Sequence, residues 1–174
     1  MIAFIRKIMG LEWKPKTELD FACLHESGHA VVSQVARCPV GCVMVQQVGE
    51  IKIGVTDYHL PTQLSFVAAR AMEIGILHGG KAAESILGQR NSSRGILQDE
   101  QDIQKQLSQL RLMGSLDFTE DELLSHCEKR AREIIQANAA LVRRLAALLS
   151  KQGEVAGKRL QGILSKARTP SSRK

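Results

Sequence analysis

The residues whose types and spacing could do chemistry stand together in CLHESGHAVV, residues 23–32. His25 and His29 are four apart, so on a helix they share one face, with Cβ atoms about 5–6 Å apart. Two imidazoles at that spacing can meet one zinc ion at about 2.0–2.1 Å each. Glu26 follows the first histidine and flanks such a metal without having to bind it. From there a carboxylate can take a proton from a water whose pKa zinc brings down to about 7, while the zinc polarises the carbonyl under attack. Gly28 weakens a helix by about 1 kcal/mol relative to Ala, a cost that makes sense where something must approach closely. The motif alone leaves two readings open: the zinc helix of a peptidase, or a polar patch on an ordinary helix.

A zinc site of this kind needs a third ligand. One known extension of the motif requires a glycine where Val32 stands. Another places a glutamate some twenty residues on, which would be Glu50, but that residue falls in a hairpin turn. Other acids lie much further along. His59, His78 and His126 have no partner at helical spacing and read as ordinary polar residues. GILHGGKA, residues 75–82, has the spacing of a phosphate loop, yet Ala82 replaces the hydroxyl that would hold magnesium and the stretch sits in a helical pattern. ATP binding is therefore not expected. CPVGC, residues 38–42, has no second cysteine pair nearby and reads as reduced thiols rather than a structural zinc site.

Thr17 followed by Asp20 forms a capping box, so the helix carrying the motif should start near Glu18 and end near Arg37, before Pro39. VGCVMVQQV and IKIGVTDYHL are β-branched runs joined by Gly-Glu, which predicts a short hairpin. A helical pattern opens at Pro61 and Thr62, runs through Leu77, is interrupted at Gly79 and Gly80, and resumes through Leu87. GQRNSSRG is a loop, and residues 97–112 again have a helical period. A second capping box, Thr119 and Glu122, starts a helix expected to run unbroken to Ser150, with a last helix over about 155–166. The sum is a mainly α fold with one small β element: an N-terminal extension (1–16), a domain over 17–167, and a basic tail (168–174).

Composition narrows the functional classes. With 44% hydrophobic residues in 174, the chain is globular and long enough for one domain with a real core. Aromatics at 3% argue against a stacking platform for single-stranded nucleic acid. Residues 158–174 hold six of the 24 Lys and Arg and no acid, leaving 18 basic against 18 acidic residues elsewhere. The net charge of +6 therefore belongs to the C-terminal end, and nucleic acid is not an expected partner. No run approaches the roughly 20 apolar residues of a membrane span. MIAFIRKIMG is broken by Arg6 and Lys7 and lacks the pattern of a secretory signal, so cytoplasmic residence is expected.

Several motifs in one order carry a family resemblance. HESGHAVV, then GVTDYHLP, GGKAAESILG and SSRGILQDEQDI, resemble the peptidase domain of the FtsH family of ATP-dependent zinc metalloproteases. ANAALVRRLAALLSKQGEVAGKRLQGIL resembles that domain's closing segment, so the likeness covers about residues 18–167. The resemblance implies zinc held by His25 and His29, Glu26 as general base, and a third ligand four residues after the loop glycine, Asp99 counted from Gly95. Gln98 and Glu100 stand where the family has Asn and Leu, and Asp102, one turn on, is the alternative ligand. It implies an exposed strand edge for substrate at Gly54, Val55 and Thr56; the residues alone fit a simple bulge at Gly54 equally well. It also implies that GGKAAE packs its small residues against the zinc helix; Glu84 could then support the site, although a helical glutamate more often faces solvent.

The expectation is a zinc-dependent endopeptidase that cuts flexible or unfolded polypeptides without ATP, with the family's ring assembly making a homo-oligomer conceivable. The competing expectations are a catalytically silent zinc-stabilised adaptor, and a protein whose basic tail anchors it to nucleic acid or lipid.

Overall fold

The computed structural model describes residues 13–91, 93–114 and 117–170. Residues 1–12 of the expected extension and 171–174 of the expected tail lie outside the described residues. The order of elements is α1 (Glu18–Val35), β1 (Val40–Val48), β2 (Ile51–Tyr58), α2 (Phe66–Ala83), a π-helical turn (Glu84–Gly88), α3 (Arg94–Arg111), α4 (Glu120–Ala137), α5 (Ala139–Gln152), β3 (Glu154–Ala156) and α6 (Gly157–Leu164). The fold is mainly helical, with a small three-stranded antiparallel sheet. No helix among the described residues is long and apolar enough to cross a membrane.

α1 is the central helix. Asp20 N–H donates to Thr17 Oγ1 at 3.1 Å and Thr17 N–H donates to Asp20 Oδ2 at 3.1 Å, so the capping box forms as the sequence predicts. From Cys23 to Ser33 every residue of α1 is buried, between α2, α5 and the sheet. The apolar core around it draws on Leu24 and Val31 of α1, Val43 of β1, Ile135 of α4, Leu145 of α5 and Leu160 of α6.

The hairpin turns on Gly49 and Glu50, with Val48 opposite Ile51; Gly49 takes φ 62°, as a two-residue turn with glycine first requires. Among the described residues the strand order β2-β1-β3 leaves β2 at an open edge. β3 was not foreseen: Gly153 (φ 75°) ends α5, and Val45 N–H donates to the Gly153 carbonyl at 2.7 Å, drawing the next three residues onto β1.

Three helical boundaries differ from the expectation. α2 begins at Phe66 rather than at Pro61, because Ser65 supplies the cap, its hydroxyl accepting from Ala68 N–H at 3.2 Å. α2 also runs unbroken through Gly79 and Gly80, whose missing side chains serve packing rather than a turn. The expected long helix from Thr119 is two helices, broken at Asn138. The buried Asn138 amide donates to the Ile134 and Arg168 carbonyls, each at 2.8 Å, and accepts from Arg168 N–H at 2.7 Å. That buried side chain is fully used only if the helix stops there.

Candidate metal centre

The i, i+4 spacing on α1 brings the His25 and His29 rings edge to face, with centroids 4.6 Å apart and Nε2 atoms 2.9 Å apart. The other ring nitrogens decide which way the lone pairs point. His29 Nδ1 lies 2.9 Å from the Ile76 carbonyl, an acceptor only, so Nδ1 carries the proton. His25 Nδ1 donates to Glu84 Oε1 at 2.8 Å. In the neutral tautomers that these two bonds select, both Nε2 atoms turn their lone pairs to the same point.

The third group at that point is Asp99, on the second turn of α3. Its Oδ2 stands 3.1 Å from His25 Nε2 and 3.3 Å from His29 Nε2. Among the described residues, these three buried side chains form the one group of three or more His, Cys, Asp or Glu able to converge on a metal. Asp102 does not join them: it takes the Lys105 ammonium at 2.5 Å and the Gln98 amide at 3.2 Å, one turn further on. The register with Asp99 is the one the fold adopts.

The donor set suits a tetrahedral cation. Bonds of about 2.0–2.1 Å in tetrahedral directions place ligand atoms about 3.3 Å from each other, within a few tenths of an ångström of the spacings here. Asp99 Oδ2 is buried with no hydrogen-bond donor aligned on it among the described residues. Three electron-rich atoms this close, away from water, repel unless positive charge lies between them. The protonation of the side chains reports the same demand. Burial pushes the His25 imidazole down, but the Asp99 and Glu84 carboxylates together carry it up to about 10. His29 is raised too, burial again opposing and Asp99 prevailing. Burial pushes the Asp99 carboxyl up, and the two imidazoles hold it well below the usual carboxylate range. A divalent ion meets this field as protons do.

Glycines let the elements close around the triad. A Cβ on Gly28 would overlap the Gly79 carbonyl oxygen, so α1 and α2 cross backbone to backbone. That close crossing brings the Ile76 carbonyl to His29. Cβ atoms on Gly80 and Gly95 would both press on the His25 ring, which is held between α2 and the start of α3. The close approach foreseen at Gly28 is therefore made by another helix.

Glu84 is the main correction to the reading by residue type. Rather than facing solvent it is 1% exposed, on the first residue of the π turn. Its Oε1 accepts from His25 and from the Ser93 hydroxyl at 2.7 Å, while Oε2 is buried without a hydrogen-bond partner among the described residues. The wider turn that follows α2 carries the chain away at Gly88, whose missing Cβ clears the Phe21 ring. Ser93, read only as part of a loop, also caps α3: Ile96 N–H donates to its hydroxyl at 3.1 Å. One small side chain thus sets both the helix that carries Asp99 and the acceptor that orients His25. The available signal was a serine just ahead of a helical pattern.

Glu26 sits beside the triad on α1, mostly buried, with Thr56 Oγ1 2.8 Å from its Oε2 and 3.0 Å from its backbone carbonyl. The expected substrate residues divide by face. Gly54 and Thr56 turn toward α1 and meet Glu26, whereas Val55 turns outward, 44% exposed. Gly54 is not a bulge: it pairs in register with Val45, and the ladder's irregularity lies between Val40 and Cys42. Of the other histidines, His59 and His126 are exposed, but His78 is buried with neither ring nitrogen hydrogen-bonded among the described residues. Burial pushes the His78 imidazole down, so the residue expected to be ordinary and polar is a buried one without a partner among the described residues. The phosphate-loop-like spacing lies within α2, where Lys81 pairs with Glu100 at 3.2 Å.

The triad and Glu26 line a cleft of about 700 Å³, walled by α1 at Phe21 and Ala22, by β2, and by the start of α3 at Arg94. No protein-family model matches the chain, and no curated protein matches it.

Proposed function

We propose that this protein is a zinc-dependent endopeptidase whose domain is of the kind that the FtsH-family resemblance implies, acting on flexible or unfolded polypeptide without ATP. The observation that carries the reading is the convergence of His25 Nε2, His29 Nε2 and Asp99 Oδ2 in a cleft that also holds the Glu26 carboxylate, beside the open edge of β2. Two imidazoles and one carboxylate are a ligand set typical of catalytic zinc, which leaves a fourth position for water or substrate. When bound, zinc lowers the pKa of a water to about 7 and polarises a carbonyl.

The chain's own residues supply the rest. Glu84 and Ser93 hold the His25 ring in the tautomer that presents Nε2, and the Ile76 carbonyl does so for His29. Thr56 holds Glu26 through Oε2, leaving Oε1 to accept the proton of the attacking water and return it to the leaving amine nitrogen. The edge of β2, unpaired among the described residues, suits an extended backbone, which has to thread the cleft as a single strand; this is why flexible segments are the substrates proposed.

The test is metal analysis of the purified protein together with digestion of an unfolded protein, with and without chelator, for the wild type and Glu26→Gln. The expected result is about one zinc per chain in both, with hydrolysis that chelator stops and that Glu26→Gln lacks. Equal cutting by the variant would sink the mechanism. A zinc-loaded wild type that cuts nothing would leave the zinc-stabilised adaptor as the better reading.

A further inference from the structure

The outward face of β2 carries Ile51, Ile53 and Val55, exposed by 45%, 46% and 44%, and Val48 across the turn is 58% exposed. Register puts Val48 opposite Ile51 and Met44 opposite Val55, so these side chains share one face of the hairpin. The alternate residues Lys52, Gly54, Thr56 and Tyr58 form the inner row, which is more covered; they line the metal cleft, and Ile51 and Ile53 of the outward row border it too. Open sheet edges are normally blunted by charge, proline or bulges, because an exposed apolar edge recruits other strands. From Ile51 to Thr56 this edge has no proline, no break in register, and a single charge, Lys52, on the inner row. An apolar edge left open beside a cleft is fitted to receive a strand.

We infer that β2 selects extended segments carrying aliphatic side chains at every second residue, an inference that rests on the peptidase reading above. A strand added to this edge alternates its side chains between the two faces of the sheet, with same-face residues about 6.6–7 Å apart. One set falls beside Ile51, Ile53 and Val55 and gains cross-strand contacts with them. The other set points into the cleft beside Gly54, where Glu26 and the triad lie. The occupant is thus a foreign aliphatic-rich strand rather than a second copy of β2, since this edge runs along the cleft that holds the triad and Glu26.

Two labelled nonapeptides of one composition test this, one with Ile and Val at alternate positions separated by Ser and Asn, the other with the same aliphatics clustered at one end. Binding is read by fluorescence anisotropy on zinc-loaded Glu26→Gln, and cleavage by kcat/KM of the wild type. The expected result is a preference of about tenfold for the alternating peptide in binding, because each of three cross-strand pairs is worth about 1.4-fold to fivefold. The double variant Ile53→Thr/Val55→Thr, which keeps β propensity, should bring the preference below about twofold. Equal binding of both peptides, or a preference that survives the double variant, overturns the inference. Sedimentation that shows a dimer dissociated by Ile53→Thr also overturns it, the edge then belonging to a second copy. A binding preference with no cleavage by the wild type supports the edge inference while sinking the peptidase reading.

Discussion

Gly54 of β2 lies so close to Glu26 of α1 that a Cβ on the glycine would overlap the Glu26 carboxylate at Oε1. The strand proposed to hold substrate and the residue proposed to move protons are therefore fitted to each other. Gly54→Ala should displace the carboxylate and separate it from Thr56. Because a misplacement of about 1 Å can cost about 10²-fold, kcat should fall by roughly that factor. Zinc content, read by atomic absorption, should stay at wild-type level. Unchanged kcat with full zinc would show that Glu26 is not the base.

The triad makes an ordered prediction about metal affinity. Asp99→Ala removes a proposed ligand, whereas Asp102→Ala removes a surface partner of Lys105. Competition with a chromophoric chelator should show Asp99→Ala losing zinc and Asp102→Ala holding it as tightly as the wild type. The reverse order would move the centre one turn along α3.

Glu84 would support the proposed metal centre through His25 rather than by binding the ion itself. Glu84→Ala leaves the His25 Nδ1–H buried without its acceptor. Loss of such a supporting partner typically weakens metal binding by about 10–100-fold. Ser93→Ala should cost less in affinity but also about 1 kcal/mol in stability, because it removes the cap of α3. Chelator competition alongside urea melts separates the two effects. An affinity unchanged in Glu84→Ala would mean that the ring is oriented by packing against Gly80 and Gly95 alone.

At Gly28 two effects of known size oppose each other. Alanine improves helix propensity by about 1 kcal/mol. Its Cβ would overlap the Gly79 carbonyl, a backbone atom that moves only if α1 and α2 part, and overpacking of this kind costs about 1–3 kcal/mol. Net destabilisation is expected in chemical denaturation, with loss of the bond from His29 to the Ile76 carbonyl weakening zinc binding as well. A more stable Gly28→Ala would contradict the close crossing.

His78 should give the protein an acid sensitivity apart from the proposed metal centre. Burial holds its folded pKa below 6.5, with Glu128 opposing, Lys81 reinforcing, and Asp99 and Glu100 opposing more weakly. Because the unfolded chain takes the proton first, stability is lost as pH falls below about 6.5, at up to about 1.4 kcal/mol per pH unit until the folded pKa is reached. The difference in urea-melt stability between pH 7.5 and 5.5 should be smaller for zinc-loaded His78→Leu than for the zinc-loaded wild type. Equal differences would mean that His78 does not remain neutral inside the fold.

What the sequence determined by itself was local. The helical period places His25, Glu26 and His29 together; Thr17 and Asp20 start their helix, and Gly49 and Glu50 turn the hairpin, each within a few residues of chain. Asp99, whose place came only from the family resemblance, lies 70 positions beyond His29, and the fold seats it opposite the ring. Only tertiary structure decided the remainder. A glutamate such as Glu84 faces solvent by default, and what buries it is the π turn, the glycine crossing and the His25 ring arriving from 59 positions away. The break at Asn138 depends on Arg168, 30 residues on, and β3 depends on Val45, so neither leaves a periodic signal. Periodicity and capping chemistry act over one or two turns of helix, whereas the support of a metal site is set by which backbones can touch. Here that is decided where glycine meets glycine, between α1 and α2.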